Sequence, residues 1–130
     1  MRPLLRSPVS WLAGFFMWLV VLWMLSSNPL PAGSDLPPIP HLDKVAHFGY
    51  FFVGGSLIAA FLYRSAPASP RWSFMGLIAV LIVAAVGALD EYHQTFVEGR
   101  SGNDPWDWLA DVIGAWAGTQ CFRRFHRFIA

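Results

Sequence analysis

Four apolar stretches, Ser10–Ser26, Val45–Tyr63, Trp72–Leu89 and Pro105–Phe122, divide this chain, and their ends sort its charges by sign. Arg2, Arg6, Arg64, Arg71, Arg123, Arg124 and Arg127 lie beside one set of ends. Asp35, Asp43, Asp90, Glu91, Glu98, Asp104, Asp107 and Asp111 lie beside the other, with only Lys44 and Arg100 among them. One set therefore carries +7 and the other −6. A bilayer-spanning helix needs roughly 20 mostly apolar residues, and short Arg-rich loops stay cytoplasmic. The pattern predicts an all-α integral membrane four-helix bundle in the cytoplasmic (inner) membrane, with both termini cytoplasmic. Its acidic face is then extracellular or periplasmic.

Composition agrees: 55% of the residues are hydrophobic and 13% charged, too apolar for an ordinary soluble domain. Spans and loops use nearly all 130 residues, so 1–130 reads as a single domain, with helices expected over about 10–26, 45–63, 72–96 and 105–122. The first apolar run contains Trp11, Trp18 and Trp23 and lacks a small-residue cleavage site, so it reads as a retained helix rather than a signal peptide. Between Ser26 and Leu42, five prolines predict an extended external connector. Cys121, the one cysteine, cannot form an internal disulfide and reads as a small apolar filler. Membrane lipids are expected partners, anionic ones on the basic side. That side is too sparse for nucleic acid, and no cofactor is expected. The bundle could be a monomer or an oligomer.

The second and fourth stretches carry start signals. Asp43 is a candidate cap for the second. Asp104, Pro105 and Asp107 form a cap, a first-turn proline and an acid three residues on. Small residues follow in both, at Gly54, Gly55, Ser56, Ala59 and Ala60 and at Gly114 and Gly118, and small residues let helices approach closely. Asp43-x-x-Ala46-His47 with Gly54 echoes Asp107-x-x-Ala110-Asp111 with Gly118 at an offset of 64, the pattern a duplicated hairpin would leave. The third stretch ends on Asp90 and Glu91, where the helix dipole disfavours acids by roughly 0.3–1 kcal/mol each. Acids placed against that rule point to a tertiary partner or a function.

The chemistry-bearing residues form three groups expected to converge at the acidic face. These are Asp43, Lys44 and His47; Asp90, Glu91, His93, Gln94 and Arg100; and Asp107 with Asp111. Spacings of three and four place Asp43 with His47, Asp90 with His93 and Gln94, and Asp107 with Asp111 on shared faces. Three readings fit. One is a structural network in which Lys44 and Arg100 neutralise carboxylates. The second is a binding site for a lipid headgroup, glycan or peptide of the cell envelope. The third is an active site in which a histidine beside carboxylates acts as general base. Histidines with aspartates also suit a divalent metal, but there is no H-E-x-x-H and no cysteine set, so no metal ligand is assigned. His41 and His126 fall outside the cluster and are expected at the solvated surface.

The runs Asp43-Lys44-x-x-His47-Phe48-x-x-Phe51, Asp90-Glu91-x-x-Gln94-x-Phe96-x-x-Gly99-Arg100-Ser101 and Asp107-Trp108-Leu109-Ala110-Asp111-x-x-Gly114 together resemble the VanZ-like family. The resemblance implies a small multi-pass membrane protein of the cell envelope and a connection with glycopeptide (teicoplanin-type) resistance. It implies no particular reaction. By motif it carries over Asp43, Lys44, His47, Glu91, Gln94, Arg100, Asp107 and Asp111. Two positions depart from the family pattern: many members have Asn where this chain has Asp111, and the proline usual before the Gly-Arg pair is Glu98 here.

Overall fold

The computed structural model describes residues 5–28, 40–66 and 71–128. The proline-rich connector with Asp35, the tip of the basic loop after Ala66, and Arg2 lie outside the described residues. Four long helices follow in order: α1 Pro8–Ser26, α2 Leu42–Ser65, α3 Trp72–Gln94 and α4 Pro105–Phe125. A single 3₁₀ turn, His126–Phe128, closes the described chain.

Three of the four, α1, α2 and α3, are long and apolar enough to cross a membrane. The fourth differs from expectation. At 21 residues α4 is about 31 Å long, yet Asp107, Asp111 and its terminal arginines keep it from the apolar composition of the others. The packing explains how it sits in the bundle. Asp107, Asp111, Gly114, Ala115, Gly118 and Thr119 are buried against the other helices. The outward face is apolar, with Trp106, Trp108, Leu109, Ile113 and Trp116.

Helices α2 and α4 form the tightest pair, and small residues make it so. A Cβ on Gly55 would collide with the Ala115 carbonyl, one on Gly114 with the Phe48 carbonyl, and one on Gly118 with the Phe52 carbonyl. Where backbones touch, hydroxyls satisfy spare carbonyls: Ser56 donates to Gly118 at 3.1 Å and Thr119 to Gly55 at 3.4 Å. Partners along this seam keep a near-constant separation in sequence, from Lys44–Asp107 and His47–Asp111 down to Gly55–Thr119. Such a register requires α2 and α4 to run parallel, which places Lys44, His47, Asp107 and Asp111 at one end of the bundle.

Helix α1 joins through an interlocked pair. Trp18 Nε1 donates to the Tyr50 carbonyl at 3.0 Å, and the Tyr50 hydroxyl donates to the Trp18 carbonyl at 2.7 Å. Gly54 gives the Trp18 indole its room, since a Cβ there would sit 2.5 Å from the ring. Phe51, Ala60, Ala79, Val83 and Ala115 fill the centre. At the other end of the bundle, Tyr63, Trp72 and His126 pack with centroids 4.8–5.0 Å apart. His126 is thus half-buried among aromatic rings, with Nδ1 against the Arg123 carbonyl, rather than solvated.

Several helix boundaries shift by two or three residues from expectation, and two of the shifts lie at the polar end. Helix α2 begins at Leu42 behind His41, which takes a left-handed φ of 61°, so Asp43 lies inside the first turn and not at the cap. Helix α3 ends at Gln94, and the next residues turn over through short bonds from Phe96 to His93 and from Val97 to Gln94.

Candidate functional site

The polar end is assembled by one reversal of the chain. After α3, Gly99 (φ 78°) and Asn103 (φ 67°) take left-handed conformations. Between them Gly102 presses on the backbone of Glu91, Gln94 and Thr95 too closely for any side chain. The Asn103 N–H donates to the Glu91 carbonyl at 3.1 Å, and the Asp104 N–H to Glu91 Oε2 at 2.7 Å. Glu91 therefore ties the end of α3 to the start of α4. Asp104 caps α4 by accepting the Trp106 N–H at 2.8 Å, which satisfies one of the free donors of a helix start.

Lys44 stands at the centre of the rim. Its ammonium donates to Asp43 and Asp107 at 2.8 Å each and to Asp104 at 3.2 Å. The Trp106 N–H first, and Lys44 after it, hold the Asp104 carboxyl below the usual 3.8. One turn deeper, His47 Nδ1 lies 2.9 Å from Asp111 Oδ1, and its Nε2 lies 4.0 Å from Asp107 Oδ2. Asp111 is fully buried, and its Oδ2 is without a hydrogen-bond partner. Gly87 of α3 makes the space for that carboxylate, because a Cβ at Gly87 would stand 2.6 Å from Oδ2. Asp90 accepts Gln94 Nε2 at 2.7 Å, and both are buried.

The structure thus brings Asp43, Lys44, His47, Asp90, Glu91, Gln94, Asp107 and Asp111 to one end. Arg100 reaches the same end and lines the cavity there, whereas His93 does not line it, and both differ from expectation in their partners. His93 Nδ1 meets Ser26 Oγ at 3.1 Å, and its ring stacks on Trp23 at 4.1 Å, so it serves the α1–α3 contact, while Asp90 takes Gln94 as its partner. Arg100 neutralises no carboxylate among the described residues. Its guanidinium donates to the carbonyls of Leu25 and Asn28, where the end of α1 leaves carbonyls without helical partners. Helix spacing gives the face of a residue but not which neighbour that face meets. Asp104, read from sequence only as a cap, is also a partner of Lys44. Ser26, Tyr50 and Phe51 line the site without having been singled out for it. The sequence signal for Asp104 was its place three residues before Asp107.

A cavity of about 270 Å³ opens beside this network. Asp43, His47, Asp90, Gln94, Arg100 and Asp107 make its polar wall, and Leu22, Leu25, Tyr50 and Phe51 its apolar wall. A site with these two walls can hold a molecule that is polar at one end and apolar at the other. His47, oriented by a buried carboxylate and facing the cavity, also has the geometry of a general base.

No curated protein and no solved structure matches the chain. A sequence model of the VanZ/LLP1 family matches residues 5–126, nearly its whole length. With three helices fit to cross a bilayer and the family's polar residues gathered at one end, the chain belongs to the VanZ/LLP1 family and is a multi-pass membrane protein.

Proposed function

We propose that this protein crosses the cytoplasmic membrane four times, with its acidic end outward, and binds an amphipathic component of the cell envelope there. The orientation rests on the seven arginines at the opposite helix ends. The fourth crossing rests on the apolar outer face of α4. Asp43, Lys44, His47, Asp90, Glu91, Gln94, Arg100, Asp107 and Asp111 form or support the site, and Arg100 and His93 also fasten α1 over it. The observation that carries the reading is the two-walled cavity, whose carboxylates suit an amine or hydroxyl-bearing headgroup and whose apolar wall suits the attached chain. Sequestering or presenting such a molecule would alter how teicoplanin-type glycopeptides meet the surface.

Native mass spectrometry of protein extracted from bacterial membranes in mild detergent tests the reading. The wild type retains an amphiphile; Ala46→Trp, which plugs the cavity rim without touching the polar network, does not and stays helical. An identical adduct on both, or none on the wild type, contradicts it.

A second reading is an enzyme acting on a lipid-linked or headgroup substrate, and the His47–Asp111 pair at the cavity wall favours it. It requires turnover of labelled envelope lipids that His47→Gln abolishes while binding persists.

A further inference from the structure

We propose that the polar end of the bundle holds one divalent transition-metal ion, ligated by His47, Glu91 and Asp107. Each offers one ligand atom, and the three atoms lie within 4.8 Å of one another. An ion with bonds of roughly 2.0–2.2 Å holds its ligands about 3–4 Å apart, so adjustment of side-chain rotamers completes the set. Glu91 and Asp107 are buried and His47 half-buried.

The outer partners fit this assignment. Metal-bound histidines almost always give their second nitrogen to a carboxylate, which fixes tautomer and ring orientation. His47 Nδ1 is engaged by Asp111 in this way, and Nε2 turns toward Asp107 Oδ2 across a 4.0 Å gap, too long for a hydrogen bond. Asp107 gives Oδ1 to Lys44, and Glu91 gives Oε2 to the Asp104 N–H. Each ligand thus spends one polar atom on the protein and has another for the centre.

The charge balance is an independent observation. Asp90, Glu91, Asp107 and Asp111 are all buried; of the two cations at this end, Lys44 pairs with Asp43, Asp104 and Asp107, and Arg100 donates to backbone carbonyls. The wholly buried Oδ2 of Asp111 is without a partner. Buried charges need pairing, and a divalent cation answers a surplus of carboxylates. One imidazole with two carboxylates suits Zn²⁺ or Mn²⁺ better than Ca²⁺, which prefers oxygen alone. His47 and Asp107 line the cavity, so remaining coordination positions open onto it.

The test uses full-length protein in detergent, stripped with chelator and titrated with Co²⁺ and then Zn²⁺. The expected result is one ion per chain, visible Co²⁺ absorption bands, and their loss as Zn²⁺ displaces Co²⁺. Glu91→Gln and Asp107→Asn weaken binding at least 100-fold, and Asp111→Asn weakens it about 10–100-fold. Lys44→Met tightens it by removing a competing charge, which a merely structural role for Lys44 would not produce. Asp43→Asn, which removes no ligand, weakens it far less than Glu91→Gln does. Wild-type protein without stoichiometric binding overturns the proposal. So does an Asp43→Asn loss as large as that of Glu91→Gln, which would move the ion to Asp43, Asp104 and Asp107.

Discussion

His47 and Asp111 meet Nδ1 to Oδ1 at 2.9 Å, on parallel helices, with the aspartate shut away from solvent. Removing one member of a buried pair leaves the other uncompensated, at a cost of about 3–5 kcal/mol. Asp111→Ala is therefore expected to lower thermal stability in detergent severely. Asp111→Asn keeps a hydrogen-bond acceptor for His47 and is expected to cost about 1 kcal/mol or less. Thermal unfolding followed by circular dichroism checks both; equal losses would show that the charge itself, rather than the hydrogen bond, holds the helices.

The α2–α4 seam makes a sharp distinction among glycines. Gly114→Val and Gly118→Val drive side chains into the Phe48 and Phe52 carbonyls, so the seam must open. Each is expected to abolish folded, monodisperse protein on size exclusion. Gly49 lies in the same helix as Phe48 and Phe52, but a Cβ there meets nothing within 4 Å. Gly49→Ala is expected to be neutral or to stabilise by up to about 1 kcal/mol.

Arg100 ties the loop after α3 to the end of α1. Arg100→Ala frees the solvent-exposed Leu25 and Asn28 carbonyls, a local loss of about 0.5–1.5 kcal/mol. Amide exchange near 23–28 is expected to rise while exchange in α2 and α4 stays slow. Equal rises in all helices would mean that the arginine supports the whole bundle.

Asp104 supplies a pH signature. Its pKa is depressed in the folded protein, so its contribution to stability is present above the ordinary carboxylate pKa of 3.8 and is lost as pH falls through the lower folded value. The stability gap between wild type and Asp104→Asn is expected to be full at pH 6 and to close as pH falls below the ordinary carboxylate value of 3.8. A gap that does not change with pH would assign the effect to shape rather than charge.

The helices were legible because apolar runs of spanning length leave few alternatives, and the cap at Asp104 with Pro105 marks the start of α4 without ambiguity. The gathering of Asp43, His47, Asp107 and Asp111 at one end followed from charge sorting. The pairings did not. Rotation of α3 about its axis sends Asp90 into the cluster and His93, three residues on, to Ser26 and Trp23. The reach of Arg100 to carbonyls of α1 depends on a loop shaped by the positive φ of Gly99 and the close seat of Gly102. Neither follows from helix periodicity. The fourth helix is read from its start signal and length, and its composition falls short of the other three because hydropathy averages over a helix, whereas burial divides it into a polar inner and an apolar outer face.

The most direct test of an amphiphile site is a crystal structure grown from a lipidic mesophase supplemented with bacterial membrane lipids. The account predicts density for a polar group within hydrogen-bond distance of Asp90 or Asp107, continuing as a chain past Leu22 and Phe51. A cavity holding only water, beside an intact network of Lys44, His47 and Asp111, would contradict it and make the acidic end a structural clasp.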